Sequence, residues 1–476
     1  MTHDDSHSDD FQEFLRRMLG GGDLPEGMNI QGFDLSGLMG ADGMQPDPAQ
    51  LAAIMKQMQA AFGMGGDPWQ STLQQALHVA NRDGQGITAG DRTSLSEVFA
   101  LASLWLGEAT NLGELSQPPV TMTRGEWVEK SLPVWREVAE PVSTSIAEAL
   151  TEALGSHVPD EMQTVVNDAA SLMRGLGASV FAMQFGRVLG ELSLEVVSGG
   201  DVGIPVLPAG TAAVIPQNLG GFAEGLEIPD DQLQLYLATR EMAYARLYRH
   251  ARWLHLHVMS KITDFARGVE VDIEALDAVA DRIDPTNLEE LKSAMDEGAL
   301  LPTLSDAQRA ALEKLEHLIA TIDGWVDVVT GTATARLPDA ARIGEAARRR
   351  RAEGGPAEDA LGALVGLRIR PRRLREAAAM WQAIGDAVGI SARDALWDYP
   401  DLMPQPSDID DPTQLIARLE ARERGEEPQQ DEMDEALTRL LQGDDFSGDS
   451  DSDSDSNGDA GEDADGDEPS SPETPV

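Results

Sequence analysis

The stretch "PDDQLQLYLATREMAYARLYRHARWLHLHVMSKITDFARG", residues 229–268, decides the fold class. It opens on Pro229 and two aspartates, which suit a helix N-terminus: proline needs no partner for an N–H, and the acids complement the helix dipole. Leu233, Leu237, Tyr244, Leu247, Ala251 and Leu254 follow at helical steps, with Tyr236, Ala243 and Tyr248 beside them. The spacing predicts a helix over 230–262.

The same period extends outward. In "SLSEVFALASLWLGEAT" (94–110), Val98, Leu101, Leu104, Trp105 and Ala109 form one stripe. Residues 124–150 read as a helix interrupted near Pro133 and a second after Pro141. A long apolar helical region follows over 165–197. Further helices are expected over 271–283, 286–296, 305–330, 338–352, 356–366, 371–389 and 412–423, the last behind the cap-and-turn cluster "DIDDP". Only "VGIPVLPAGTAAVIPQNL" (202–219) breaks the pattern, and its Val-Ile-Pro units suggest short extended segments. There is no fixed-period repeat and no alternation of strands with helices. The expected fold is mainly α, with few short strands.

Composition divides the chain in three. Residues 1–66 are rich in Gly and Met and read as a flexible leader with one short helix over 48–62, capped by Asp47. Residues 67–424 read as the helical domain. Residues 425–476 read as a disordered acidic tail. From Asp444 to Val476 there are 13 acids and no bases, and the Asp-Ser run at 449–455 cannot bury apolar surface.

The net charge of −47 disfavours nucleic-acid and anionic-membrane partners. The absence of cysteine excludes disulfides, thiolate metal sites and a cysteine nucleophile. The acidic N-terminus lacks the basic start and apolar core of a signal peptide. Val202–Gly221 carries three prolines, which makes it a poor membrane span. A cytoplasmic protein is expected, with a peptide or protein as its partner.

Within the helix, Arg240 and Tyr244 lie one turn apart, and Glu241 is turned about 100° from Arg240. This is the frame of His-Glu-x-x-His, in which two imidazoles bind zinc and the glutamate polarises the bound water. Here a guanidinium with no lone pair stands at the first position and a phenol at the second. Read from the residues alone, Glu241 is an ion-pair partner of a nearby arginine such as Arg246 or Arg249.

The chain resembles the bacterial family of zincin-like, zinc-dependent metalloproteases from about Trp69 to Pro412. The resemblance rests on "LASLWLGEAT" (101–110), "RGEWVEKSLPVWREVAEPV" (124–142), "VSGGDVGIPVLPAG" (197–210), residues 215–254, "IDGWVDVV" (322–329), residues 347–381 and "ARDALWDYPDLMP" (392–404). It implies a multi-helix zincin-like scaffold. It also implies that the two histidine positions fall on Arg240 and Tyr244, the general base on Glu241, and the third ligand on Asp323. Only the base is kept in kind, so the metal site is read as degenerate and no cofactor is expected. The substitutions suggest a buried Arg240–Asp323 ion pair with Tyr244 donating a hydrogen bond.

Two function classes follow. One is a pseudoenzyme of this family that acts as a binding or scaffold protein. The other is an active metallopeptidase with a non-standard zinc site that uses Glu241 as base. A zinc site rebuilt from His250, Glu241 and Tyr244 is a lesser reading. The arginines at 348–351, 368, 370, 372, 373 and 375 read as a solvated helix face, or as a patch docking acidic groups. P-loop, nucleophile-elbow and dinucleotide motifs are absent.

Overall fold

The computed structural model describes residues 67–155, 181–268, 304–355 and 366–425, without Gln85 but with Asp359 and Gly362; beyond Pro141 the helix ending at Gly155 is described by its backbone alone. The leader, most of the tail, the 165–180 part of the helical region expected over 165–197, the helices expected over 271–283 and 286–296, and most of 356–366 lie outside the described residues. The chain divides into two compact units, Met1–Pro412 and Thr413–Val476.

In the first unit the helices are α1 (Pro68–Ala80), α2 (Ala89–Ala109), α3 (Arg124–Gly155), α4 (181–195), α5 (Leu219–Ala223), α6 (Asp230–His250), α7 (Arg252–Arg267), α8 (Asp306–Ala333), α9 (Ala340–Glu353), α10 (Leu374–Ala395) and α11 (Pro406–Asp410). In the second unit, α12 spans Thr413–Glu423. Two two-residue strands, β1 (Val120–Thr121) and β2 (Ala213–Val214), pair in parallel with Val120 opposite Ala213. The fold is mainly α, as the periodicity indicates, and the extended segment expected within 202–219 holds β2.

Local chemistry sets the helix starts. Thr88 and Asp91 form a capping box at α2, and Ser305 and Gln308 do so at α8, each satisfying two backbone N–H groups that have no helical partner. Asp67 caps α1 ahead of Pro68.

Three expectations are corrected. First, α3 runs unbroken through Pro133 and Pro141. A proline frees the carbonyl four residues earlier. Those carbonyls belong to Glu129 and Glu137, which are exposed residues, so the freed carbonyls lie on the solvent side of the helix. Second, the helix over 230–262 is two helices, broken at Ala251, whose φ of −85° and ψ of 72° leave the helical region. The break lets Trp253 Nε1 donate to the Trp397 carbonyl at 3.2 Å. Third, α2 turns Leu95, Phe99, Ala102, Trp105, Leu106 and Ala109 inward, while Leu101 and Leu104 face out. The inward set follows the helical period as well as the expected one did.

Helix α8 is the centre of the first unit and packs against α2, α6, α7 and α10. Gly324 makes the α8–α10 crossing close: a Cβ there would lie 2.8 Å from Ala377. A tryptophan cluster finishes the core. Trp381 stacks on Trp397 at 5.3 Å between ring centres, and Trp325 meets Trp397 edge-on at 6.4 Å. Asp394 ties the cluster to α2 by accepting from Trp325 Nε1, Arg393 Nε, the Thr110 hydroxyl and the Asn111 N–H.

Candidate functional site

Helix α6 buries residues on nearly every side, because α2, α8 and the 198–213 loop surround it. Glu241 points to the loop. Its two oxygens accept from the Gly200 N–H at 2.7 Å and the Ala213 N–H at 3.0 Å. The Ser198 side chain bonds it as well. Burial pushes its carboxyl up to about 7, although the bonds from Ala213, Gly200 and Ser198 pull downward. Neither Arg246 nor Arg249 pairs with it. Arg246 donates to the carbonyl and hydroxyl of Ser103, and Arg249 to the Glu114 carbonyl.

Arg240, Tyr244 and Asp323 do come together. The Tyr244 hydroxyl donates to Asp323 Oδ1 in a short bond. Arg240 Nη2 lies 3.3 Å from the same hydroxyl, with its guanidinium 5.3 Å from the Tyr244 ring centre. The ion pair differs from expectation. Asp323 Oδ2 pairs with Arg351 Nε at 3.0 Å, and both side chains are at least 95% buried. Arg240 instead faces Asp327, with Nη1 3.8 Å from Oδ1, while Arg348 holds the other oxygen at 2.9 Å. Burial works to lower the Arg240 guanidinium, but Tyr244, Asp323 and Asp327 raise it overall. Burial raises the Tyr244 phenol well above its usual value and lifts Tyr236 to about 12.

Three further residues belong to this cluster: Asp327, which was not singled out from sequence, Arg351, which was read only as part of a run of arginines, and Tyr248, which was read only as a neighbour of the apolar stripe. Asp327 lies one helical turn beyond Asp323, a spacing that could have signalled it. Arg351 stands in register with Ile343 and Ala347, at steps of four on the buried face of α9. A charge on an apolar stripe was the available signal. Tyr248, one turn beyond Tyr244, buries its hydroxyl without a hydrogen-bond partner among the described residues.

His250 is elsewhere: its Nε2 lies 2.8 Å from Asp398 Oδ1 in a partly exposed pair. The arginine cluster is largely occupied internally. Besides Arg348 and Arg351, Arg350 reaches Asp201, Arg370 pairs with Asp359, Arg373 with Glu376 and Asp410, and Arg375 with Glu345.

The family model for zincin-like metallopeptidases matches residues 68–416, most of the chain. The chain belongs to the zincin-like metallopeptidase family. A solved structure from Chloroflexus aurantiacus, described as a "putative hydrolase with a novel fold", superposes with a TM-score of 0.52 at 17% identity. The match covers 74% of this chain and 98% of that one, and it shows the shared fold. No curated protein matches the chain.

The zinc that the family name implies can be tested against the side chains of this zincin-like protein. Arg240 has no lone pair, Tyr244 directs its proton at Asp323, and Asp323 already receives Tyr244 and Arg351. Among the described residues, no three His, Asp or Glu side chains gather as metal ligands do. As arranged, this donor set does not fit zinc.

Proposed function

We propose that this chain is a zincin-like metallopeptidase homologue with impaired zinc binding that acts as a binding or scaffold protein in the cytoplasm. One observation carries the reading. Both oxygens of Glu241, the residue at the base position, are engaged by backbone N–H groups of the 198–213 loop. A general base must reach the proton it abstracts. Here the carboxylate is 2% exposed and anchors a loop instead. The partner class is an extended peptide or a protein. The net charge of −47 disfavours nucleic acid, and no described helix is long and apolar enough to cross a membrane.

A second reading keeps one specific support. A carboxyl pushed up to about 7 is poised for proton transfer near neutral pH, as a metallopeptidase with an unusual site would need. Metal analysis of the full-length chain, purified from zinc-supplemented cells, separates the two, together with assay on unstructured peptide substrates. The expected result is no bound zinc and no hydrolysis. Stoichiometric zinc in the wild type together with hydrolysis that is lost in Glu241→Gln would replace the scaffold reading with the enzymatic one.

A further inference from the structure

We infer that Arg351, reaching in from α9, is the residue that bars a divalent metal from this site and supplies its charge. The inference rests on the proposed impairment of zinc binding and names its cause. Asp323 is the only carboxylate among the three positions that the motif and its third ligand would occupy. Its Oδ2, the oxygen Tyr244 does not take, faces Arg351 Nε at 3.0 Å. A metal must displace that guanidinium before it can reach Asp323. Displacement would leave a buried charge uncompensated, which costs about 3–5 kcal/mol.

The guanidinium has a built seat. Its Nη1 lies 3.5 Å from the Ile369 carbonyl. The backbone at Gly203 crosses directly over it: a Cβ there would fall 1.9 Å from Arg351 Nη2, and φ is +76°. Only glycine meets both demands without strain. Arg351 brings a positive charge to Asp323, and replacing Arg240 and Tyr244 alone leaves that charge in place.

The test compares metal uptake by three full-length proteins: wild type, Arg240→His/Tyr244→His, and the same pair with Arg351→Met. Each is dialysed against zinc, then measured for bound zinc and for the thermal midpoint with and without zinc. The ligand pair alone is expected to bind zinc only weakly. Adding Arg351→Met is expected to raise zinc affinity roughly 100-fold, the upper range for residues behind a metal's ligands, and to make the midpoint rise with zinc. If Arg351→Met leaves the triple variant unstable without metal, solubility and cooperative melting restored by zinc support the inference equally. Equal zinc affinity in the double and triple variants overturns it. So does a triple variant that neither binds zinc nor is rescued by it. Zinc in the wild type would instead bring down the functional proposal itself.

Discussion

At the residue scale the most informative group is Glu241. Its folded value is raised above the ordinary 4.5 to about 7, so between these values the folded chain holds a proton that the unfolded chain has released. By linkage, this group's stabilising contribution is complete below about pH 4.5 and is lost as pH rises through 7. The effect is at most a few kcal/mol, taking about 1.4 kcal/mol per pH unit. Denaturant unfolding of wild type and Glu241→Gln from pH 5 to 8 isolates it, because the amide does not titrate. The stability of wild type relative to the variant should fall across that range; a gap that stays constant means the carboxyl titrates normally. The sequence made Glu241 visible through the motif frame. Its partners were not visible, because Gly200 and Ala213 donate from backbone atoms that leave no trace in side-chain identity. Arg351 was hidden differently. It ends a run of four arginines, and only its phase relative to Ile343 and Ala347 separates it from exposed Arg349.

At the element scale, the junction of α2, α8 and α10 depends on Asp394. It is 2% exposed and takes four hydrogen bonds, from Trp325, Arg393, Thr110 and Asn111. Asp394→Ala leaves a buried guanidinium, an indole N–H and a backbone N–H without their acceptor. Loss of one partner from such a set costs about 3–5 kcal/mol, enough to lower the thermal midpoint by several degrees. Asp394→Asn, which keeps an acceptor oxygen, should cost less. Equal midpoints for Asp394→Ala and wild type, measured by calorimetry, would show that the junction does not depend on the carboxylate. Helix identity was legible for most of the long helices, where apolar period and capping residues agree, as at Ser305–Gln308, but α1, α5 and α11 were not among the expected helices. Helix limits were less so. The break at Ala251 carries no glycine or proline, and the Trp253–Trp397 contact behind it spans 144 residues. Pro133 and Pro141 misled in the opposite sense, because the consequence of a proline depends on which side of the helix meets water.

At the scale of the whole molecule, charge is the governing quantity. Residues 426–476 contribute 19 acids and one base to a chain of net charge −47. Like charge at this density opposes the compact state, and salt weakens the opposition over a Debye length of about 10 Å at 0.1 M. The helical core between Pro68 and Pro412 owes its stability to apolar burial around α8 and the tryptophan cluster, which salt screening leaves nearly unchanged. A shortened chain of residues 67–425 should therefore still fold and melt cooperatively. Its thermal midpoint should lie within about 1 °C of the full-length value in 0.5 M salt, a difference below roughly 1 kcal/mol for a body of this size. In 10 mM salt the shortened chain should melt higher than the full chain, because the extra negative charge is then unscreened. Circular-dichroism melts of both proteins at the two salt concentrations check this. A shortened chain that loses cooperative melting would place part of the core in residues 1–66 or 426–476. A midpoint gap that does not change with salt would mean that those segments affect stability through contacts and not through charge.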